Sequence, residues 1–174
     1  MKRLAWLVVA FAFVVPVSAQ TADDLGTFGS FNLVVEAVSA DANAAGITQQ
    51  DLREMMISAL GSTNMLHRIK LGKFDRCPCL YLQITIQKAA LASSAIRRGL
   101  DDPAADLFSY GAVLEILEPV VRDRDGRRTI GTTWHTGHVD YTLSVGALRL
   151  RLTESIRDLV TAFGDAIGPE LQPK

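Results

Sequence analysis

The chain has 174 residues, of which 48% are hydrophobic and 21% are charged, and its formal net charge is −1. This length suits one ordinary domain. The near-neutral charge excludes a strongly basic nucleic-acid-binding protein, and the balance of apolar and charged residues excludes a strongly acidic disordered chain. We therefore expect a folded domain that has no nucleic-acid partner.

The first 19 residues have the three parts of a secretory signal peptide. A basic start (residues 1–3) precedes an uncharged apolar run (4–15), and small residues before Ala19 suit signal peptidase. The alternative is a membrane anchor, but a spanning helix needs about 20 apolar residues and this run is shorter. We predict cleavage after Ala19, export to the periplasm or the medium, an oxidising compartment and no later transmembrane segment.

The next part of the chain predicts a lead-in, a strand and a helix. Residues 20–30 are polar and Gly-rich, which is typical of a flexible segment, whereas 31–38 alternate as a strand does. We expect a loop over 41–46. Thr48 and Asp51 form a capping-box pattern that predicts a helix start. Apolar residues follow at helical spacing up to the predicted helix end at Gly61: Leu52, Met55, Met56, Ala59 and Leu60.

The second half predicts strands and a closing helix. Residues 65–74 are ambiguous and include a short strand at most, whereas 80–87 alternate cleanly and predict a half-buried antiparallel strand. Residues 89–106 are Ala/Ser-rich and predict a long, mobile connection. Two further strands are expected over 108–121, ended or bulged near Pro119, and over 129–141, joined by a charged hairpin loop around Asp125-Gly126. A long amphipathic helix follows, ended by Gly168-Pro169, with apolar positions Val145, Leu148, Leu152, Ile156, Leu159, Val160 and Phe163.

This order of elements predicts an α+β fold. The simplest way to bury both apolar helix stripes is against one face of a mostly antiparallel sheet. We therefore predict a two-layer sandwich of four or five strands with two helices on one face. It would form a single domain over residues 31–168, followed by a polar tail (169–174).

The layout resembles the small exported α+β domains of bacterial envelope proteins, such as the N-terminal domain of TolB. The residues that carry the resemblance are the helix from Thr48, the alternating strand 80–87 and the closing helix from Ser144. The similarity lies in the order of elements over most of the exported chain. It implies at most an accessory role in the envelope, since a fold does not determine a function.

The two cysteines, Cys77 and Cys79, flank Pro78. On an extended segment both thiols share the face of Tyr81, opposite Leu80, so we expect them to point away from the core. Four interpretations are open: a strained disulfide, reduced structural thiols, intermolecular pairing, or a soft-metal site for Cu(I) or Zn. A strained, exposed disulfide is easily reduced, but redox enzymes usually carry C-x-x-C at a helix start.

A second unusual segment contains Trp134, His135 and His138. A metal site would combine the two imidazoles with the two thiols. Residues three apart on a regular strand face opposite sides, however, unless Gly137 bends the chain. The plainer interpretation is a half-buried Trp134, an exposed His135 and a His138 in a loop. Asp140 near His138 suggests a catalytic triad, but no serine stands in a G-x-S-x-G motif.

We therefore assign no catalytic, cofactor-binding or metal-ligating residue, and take Tyr81, Trp134, His135 and His138 as a candidate surface site. The leading hypothesis is a non-enzymatic binding or accessory protein of the bacterial cell envelope. Its strand face with Tyr81, Gln83, Thr85 and Gln87 would be open or covered by a protein partner. The alternative is a small redox or soft-metal-handling protein that uses Cys77 and Cys79. A hydrolase with a scattered site is a third option.

Overall fold

The computed structural model describes residues 30–70, 78–89, 107–122, 124–142 and 144–167. The predicted signal peptide, almost all of the lead-in, the 90–106 part of the predicted connection, Cys77 and the tail lie outside these ranges. The elements in chain order are β1 (Phe31–Val35), α1 (Ala40–Ala44), α2 (Gln49–Ser62), a 3₁₀ turn (Leu66–Arg68), β2 (Ile69–Lys70), β3 (Cys79–Ala89), β4 (Leu107–Val121), β5 (Arg128–Thr142) and α3 (Val145–Ile167).

The strands form one five-stranded sheet in the order β2-β1-β3-β4-β5. β1 is parallel to both of its neighbours, β2 and β3. β3, β4 and β5 form an antiparallel meander with long, continuous pairing. The sheet is therefore mixed and mostly antiparallel, and the predicted α+β class is confirmed.

The core lies between one face of this sheet and the helices. Alternate residues of β1, β3 and β4 point into it, and α2 and α3 bury their apolar stripes against the same side. The ring of Phe163 on α3 packs edge-on to Phe31 at 5.5 Å between centroids and lies 5.8 Å from Trp134. The helix α3 therefore contacts both β1 and β5 across the core. Each fully buried large side chain contributes about 1.5–3 kcal/mol to folding.

The predicted capping box begins α2. The Thr48 hydroxyl accepts from the Asp51 N–H at 3.1 Å, and the Asp51 carboxylate accepts from the Thr48 N–H at 2.8 Å. Arg149 of α3 adds an ion pair to Asp51 at 3.0 Å. The bonds from the Thr48 side chain and backbone, followed by the bond from Arg149, lower the pKa of Asp51 from 3.8 to about 2. This carboxylate therefore links the starts of two helices.

The expected loop at 41–46 is wrong, because the structure has a helical turn, α1. The Ser39 hydroxyl accepts from the Ala42 N–H at 3.2 Å and so caps the turn. Gly46 has a positive φ of 72° just after it, a conformation that favours glycine. Ser39 is a suitable N-cap residue, and Asp41 suits the first turn of a helix. The nearby Asn43 and Gly46 are typical of loops, however, and for this reason the sequence favoured a loop here. The neighbouring strand β1 ends at Val35 rather than 38.

The β4–β5 hairpin departs from expectation at two points. The strand does not end at Pro119, whereas the alternative expectation of a bulge near this residue is met by an irregularity two residues before it. Its pairing with β5 is irregular between Ile116 and Leu117, where the register skips Thr133 of β5. An extra residue of this kind is a β-bulge, which bends the strand and increases its twist. His138 lies on β5 opposite Ala112, not in a loop.

Candidate binding surface on the open face of the sheet

The sheet has a second face, opposite α2 and α3, which we call the outer face. Its side chains come from the alternate residues of β3, β4 and β5 that do not point into the core. Two large ones at the β5 end are strongly exposed, Val139 at 80% and Tyr141 at 71%. Among the described residues no helix packs on this face.

A shallow groove of about 310 Å³ lies on the outer face around Gly111. The register places Thr85 of β3 and Val139 of β5 on either side of this glycine. Because Gly111 has no side chain, its backbone forms the floor of the groove. The lining residues are Gln83, Thr85, Gln87, Ser109, Tyr110, Gly111, Val113 and Val139. Apart from Tyr110, whose side chain lies on the core side, they offer amides, hydroxyls and methyl groups and no carboxylate or cation. The groove therefore suits an uncharged ligand that has both apolar and hydrogen-bonding groups.

A row of polar residues lies next to the groove on the same face. We call it the acidic row because it contains Glu115 and adjoins Glu36. Tyr81, Glu115 and His135 are direct cross-strand neighbours. Such neighbours have Cβ atoms about 4.5–5.5 Å apart and interact. Burial, and then the carboxylates of Glu36 and Glu115, raise the pKa of the Tyr81 phenol. The phenol therefore stays protonated near neutral pH and donates a hydrogen bond to Glu36.

The structure divides the four predicted surface residues between the two faces of the sheet. Tyr81 and His135 share the acidic row on the outer face, whereas Trp134 and His138 are opposite core residues of β4 and face α3. The strand runs straight through Gly137 without bringing the two histidines together. They therefore point to opposite sides of β5 and cannot bind one metal ion.

A polar cluster, missed by the sequence reasoning, lies under α3. The Ser155 hydroxyl is 2.6 Å from Nε2 of His138 and 3.0 Å from the Tyr110 hydroxyl. The Tyr110 hydroxyl also has a long contact of 3.5 Å to the Asp140 carboxylate. The hydroxyls of Tyr110 and Ser155 both donate and accept, so either one can be the donor in their contact, and the tautomer of His138 sets the direction of its contact with Ser155. The signal that could have found this cluster is Ser155 itself, a polar residue within the apolar stripe of α3.

The Ser155–His138 contact has the form of a nucleophile and its base. Ser155 is only 4% exposed, however, and lies inside a helix that packs on the sheet. Asp140 bonds the Tyr110 hydroxyl and the Tyr141 N–H, and among the described residues no bond joins it to His138. Burial raises the pKa of Tyr110, chiefly, and the nearby Asp140 adds to this rise. The arrangement satisfies buried polar groups at the helix–sheet interface.

Cys79 points away from Leu80 and the core cluster, as expected, but it is 0% exposed and therefore enclosed instead of open to solvent. The alternation was right, because Cys79 lies opposite Asn32 and Leu117 on the side away from Leu80. Leu117 lies at the bulge and is itself only 9% exposed, so this end of the outer face is covered. A disulfide to Cys77 stays a prediction.

Two properties of the described part of the chain bear on other functions. Within these ranges no three His, Cys, Asp or Glu side chains converge so as to hold a metal ion. None of the helices in these ranges combines the length and hydrophobicity that crossing a membrane requires.

Comparisons with known proteins assign no family. No protein-family model matches the chain, and no curated protein matches it. One similar solved structure is a minor lipoprotein from Acinetobacter baumannii, with a TM-score of 0.32 and 14% identity, covering 80% of this chain and 92% of that chain. A likeness this distant carries no argument about function. The function is therefore argued from the residues of this chain.

Proposed function

We propose that this chain is an exported, non-enzymatic binding protein of the bacterial cell envelope that holds an extended, basic segment of a protein partner on its outer face. The observation that carries the proposal is the position of the uncharged groove beside the acidic row, on a face that the described helices leave open.

The groove supports the choice of an extended peptide. Its glutamine amides and its threonine and serine hydroxyls both donate and accept hydrogen bonds, as the peptide groups of an extended chain do. The valines at its edges, Val113 and Val139, add apolar contact. On the face of the sheet, the side chains of the groove would hydrogen-bond the main chain of the peptide, and contacts with its side chains would give specificity.

The acidic row supports the choice of a basic side chain. Tyr81 lies four residues before Thr85 on β3, which corresponds to about 13 Å along an extended strand. A peptide lying along β3 with its backbone in the groove would thus place a side chain about four residues away near Glu36 and Glu115. A lysine or arginine there meets two carboxylates, which favours binding and selects against acidic partners.

The predicted signal peptide supports the compartment. The alternative of a redox or soft-metal protein has less support. Such chemistry would use the thiols of Cys77 and Cys79, and the thiol of Cys79 is enclosed.

The test uses two displayed libraries of random octapeptides, one with a fixed central lysine and one with a glutamate in its place. We expect the purified protein to enrich sequences from the lysine library only. Gly111→Ile should abolish the enrichment by filling the groove, and its Cβ has an ordinary contact of 3.7 Å with Cγ2 of Val139. Glu115→Gln should weaken it, whereas Glu54→Gln, an exposed carboxylate on α2, should not.

Three results would contradict the proposal. The first is no enrichment from either library. The second is equal enrichment from both libraries, and the third is enrichment that survives Gly111→Ile.

A further inference from the structure

The free edge of β5 is the longest unpaired strand edge in the described sheet. β5 has 15 residues and ends the strand order, whereas the strand at the other end, β2, has two residues. Typical strands have about five or six residues. A long edge presents unpaired N–H and C=O groups to any strand that can align with it.

One hydrogen bond shows which backbone groups face this edge. The Tyr141 N–H donates to Oδ1 of Asp140 at 2.8 Å, so it does not point toward β4. Backbone groups alternate in direction along a strand. The N–H and C=O groups of Gly137 and Val139 therefore face the free edge as well.

We infer that a second copy of this chain pairs with β5 in antiparallel fashion, about a two-fold axis at Val139. The inference does not depend on the proposed peptide binding. In this register Val139, 80% exposed in the single chain, lies directly opposite Val139 of the second copy. Tyr141 of each copy covers Gly137 of the other, and an aromatic side chain opposite a glycine compensates for its missing side chain.

Hydrogen-bond complementarity selects this register. His138 lies opposite Asp140 of the second copy, and the same pair forms again across the axis. These two positions lie between the hydrogen-bonded pairs, where opposing side chains come closest. With the Ser155 hydroxyl donating to Nε2 of His138, Nδ1 carries the proton and donates to the facing carboxylate. The Asp140 carboxylate that now caps the Tyr141 N–H is released, because that N–H pairs with Gly137 of the second copy.

The neighbouring registers are less complementary. An axis at His138 places two imidazoles opposite each other, and an axis at Asp140 does the same with two carboxylates. The bulge at Thr133 limits the pairing at one end, because it bends β5 away from a straight edge. The regular segment from residue 134 onward is long enough for the register centred on Val139.

The test measures the mass of the full chain in solution by light scattering, together with two lysine variants. We expect a dimer at about 100 μM, a concentration at which a micromolar dissociation constant gives a largely dimeric protein. Val139→Lys places two like charges on the axis and should raise the dimer dissociation constant at least about 100-fold. Ile130→Lys is the matched control, since Ile130 is also exposed, at 48%, and lies on β5 beyond the bulge. It should leave the dimer unchanged.

Hydrogen exchange of the unmodified protein gives a second measurement that needs no variant. The amides of Val139 and Tyr141 should exchange more slowly at high than at low protein concentration. A monomeric protein at about 100 μM, a dimer affected equally by both lysine variants or by neither, or exchange at these amides that is independent of concentration, would each overturn the inference.

Discussion

Gly137 is a position at which the backbone of β4 leaves no room for a side chain on β5. A Cβ added there would lie 2.7 Å from the carbonyl oxygen of Ala112, 3.0 Å from Cγ2 of Val113 and 3.2 Å from its Cα. Two of these three atoms belong to the backbone and cannot rotate away. We therefore expect Gly137→Ala to force the two strands apart at this point.

The expected destabilisation follows from two opposing effects. Overpacking a well-packed site costs about 1–3 kcal/mol. Alanine restricts the unfolded chain more than glycine does, which returns about 0.4–1 kcal/mol. We expect a net loss of about 1–2 kcal/mol in the free energy of unfolding, which corresponds to a fall in melting temperature of roughly 3–8 °C.

Gly111→Ala is the matched control on the neighbouring strand. Its added Cβ meets only Val139 Cγ2 at 3.7 Å, an ordinary contact, so this variant should gain about 0.4–1 kcal/mol. Both variants are measured by urea denaturation followed by circular dichroism, at one low protein concentration, so that association does not contribute. A Gly137→Ala protein at least as stable as the unmodified one, or equal shifts in both variants, would refute the reasoning.

Four further outcomes are expected. Ser155→Ala should cost about 1–2 kcal/mol in urea denaturation, because it leaves the buried Tyr110 hydroxyl without its 3.0 Å partner; a neutral effect would show that the cluster does not stabilise the helix–sheet interface. The pKa of Asp51 is lowered to about 2 in the folded state, so its contribution to stability is present above about pH 4 and is lost as the pH falls toward about 2. Asp51→Asn should therefore lose less stability than the unmodified protein over that pH range, and parallel profiles would argue against the capping role. After reduction, Cys79 should react with a thiol reagent far more slowly in the native than in the denatured protein, as mass spectrometry can show, and equal rates would contradict its burial. N-terminal sequencing of the exported chain should give Gln20 first, and an intact Met1 would contradict the predicted cleavage.

Strong local signals made the fold class and several elements predictable. The capping box at Thr48 and the alternation through Leu80 act over a few residues and are confirmed by α2 and β3. The hairpin turn at Asp125-Gly126 has the same local character, and Gly126 has a positive φ of 64°. In each case the chain's own spacing and turn chemistry determine the structure.

The features that depend on distant contacts were not predictable. The buried position of Cys79 depends on which strands lie on either side of β3, and the position of the extra residue at Thr133 of β5 depends on the pairing of β4 with β5. Of the candidate site, the open strand face was expected from the polar residues Gln83, Thr85 and Gln87. The groove was not, because Gly111 becomes its floor only once the register places it between Thr85 and Val139.

The contact between Phe163 and Trp134 has a practical consequence for following the folding of this protein. The sequence contains two tryptophans, and Trp6 lies in the predicted leader. The exported form would then carry a single indole, seated where α3 meets β5. Its intrinsic emission would report the docking of the closing helix onto the meander, and would do so without any added fluorophore.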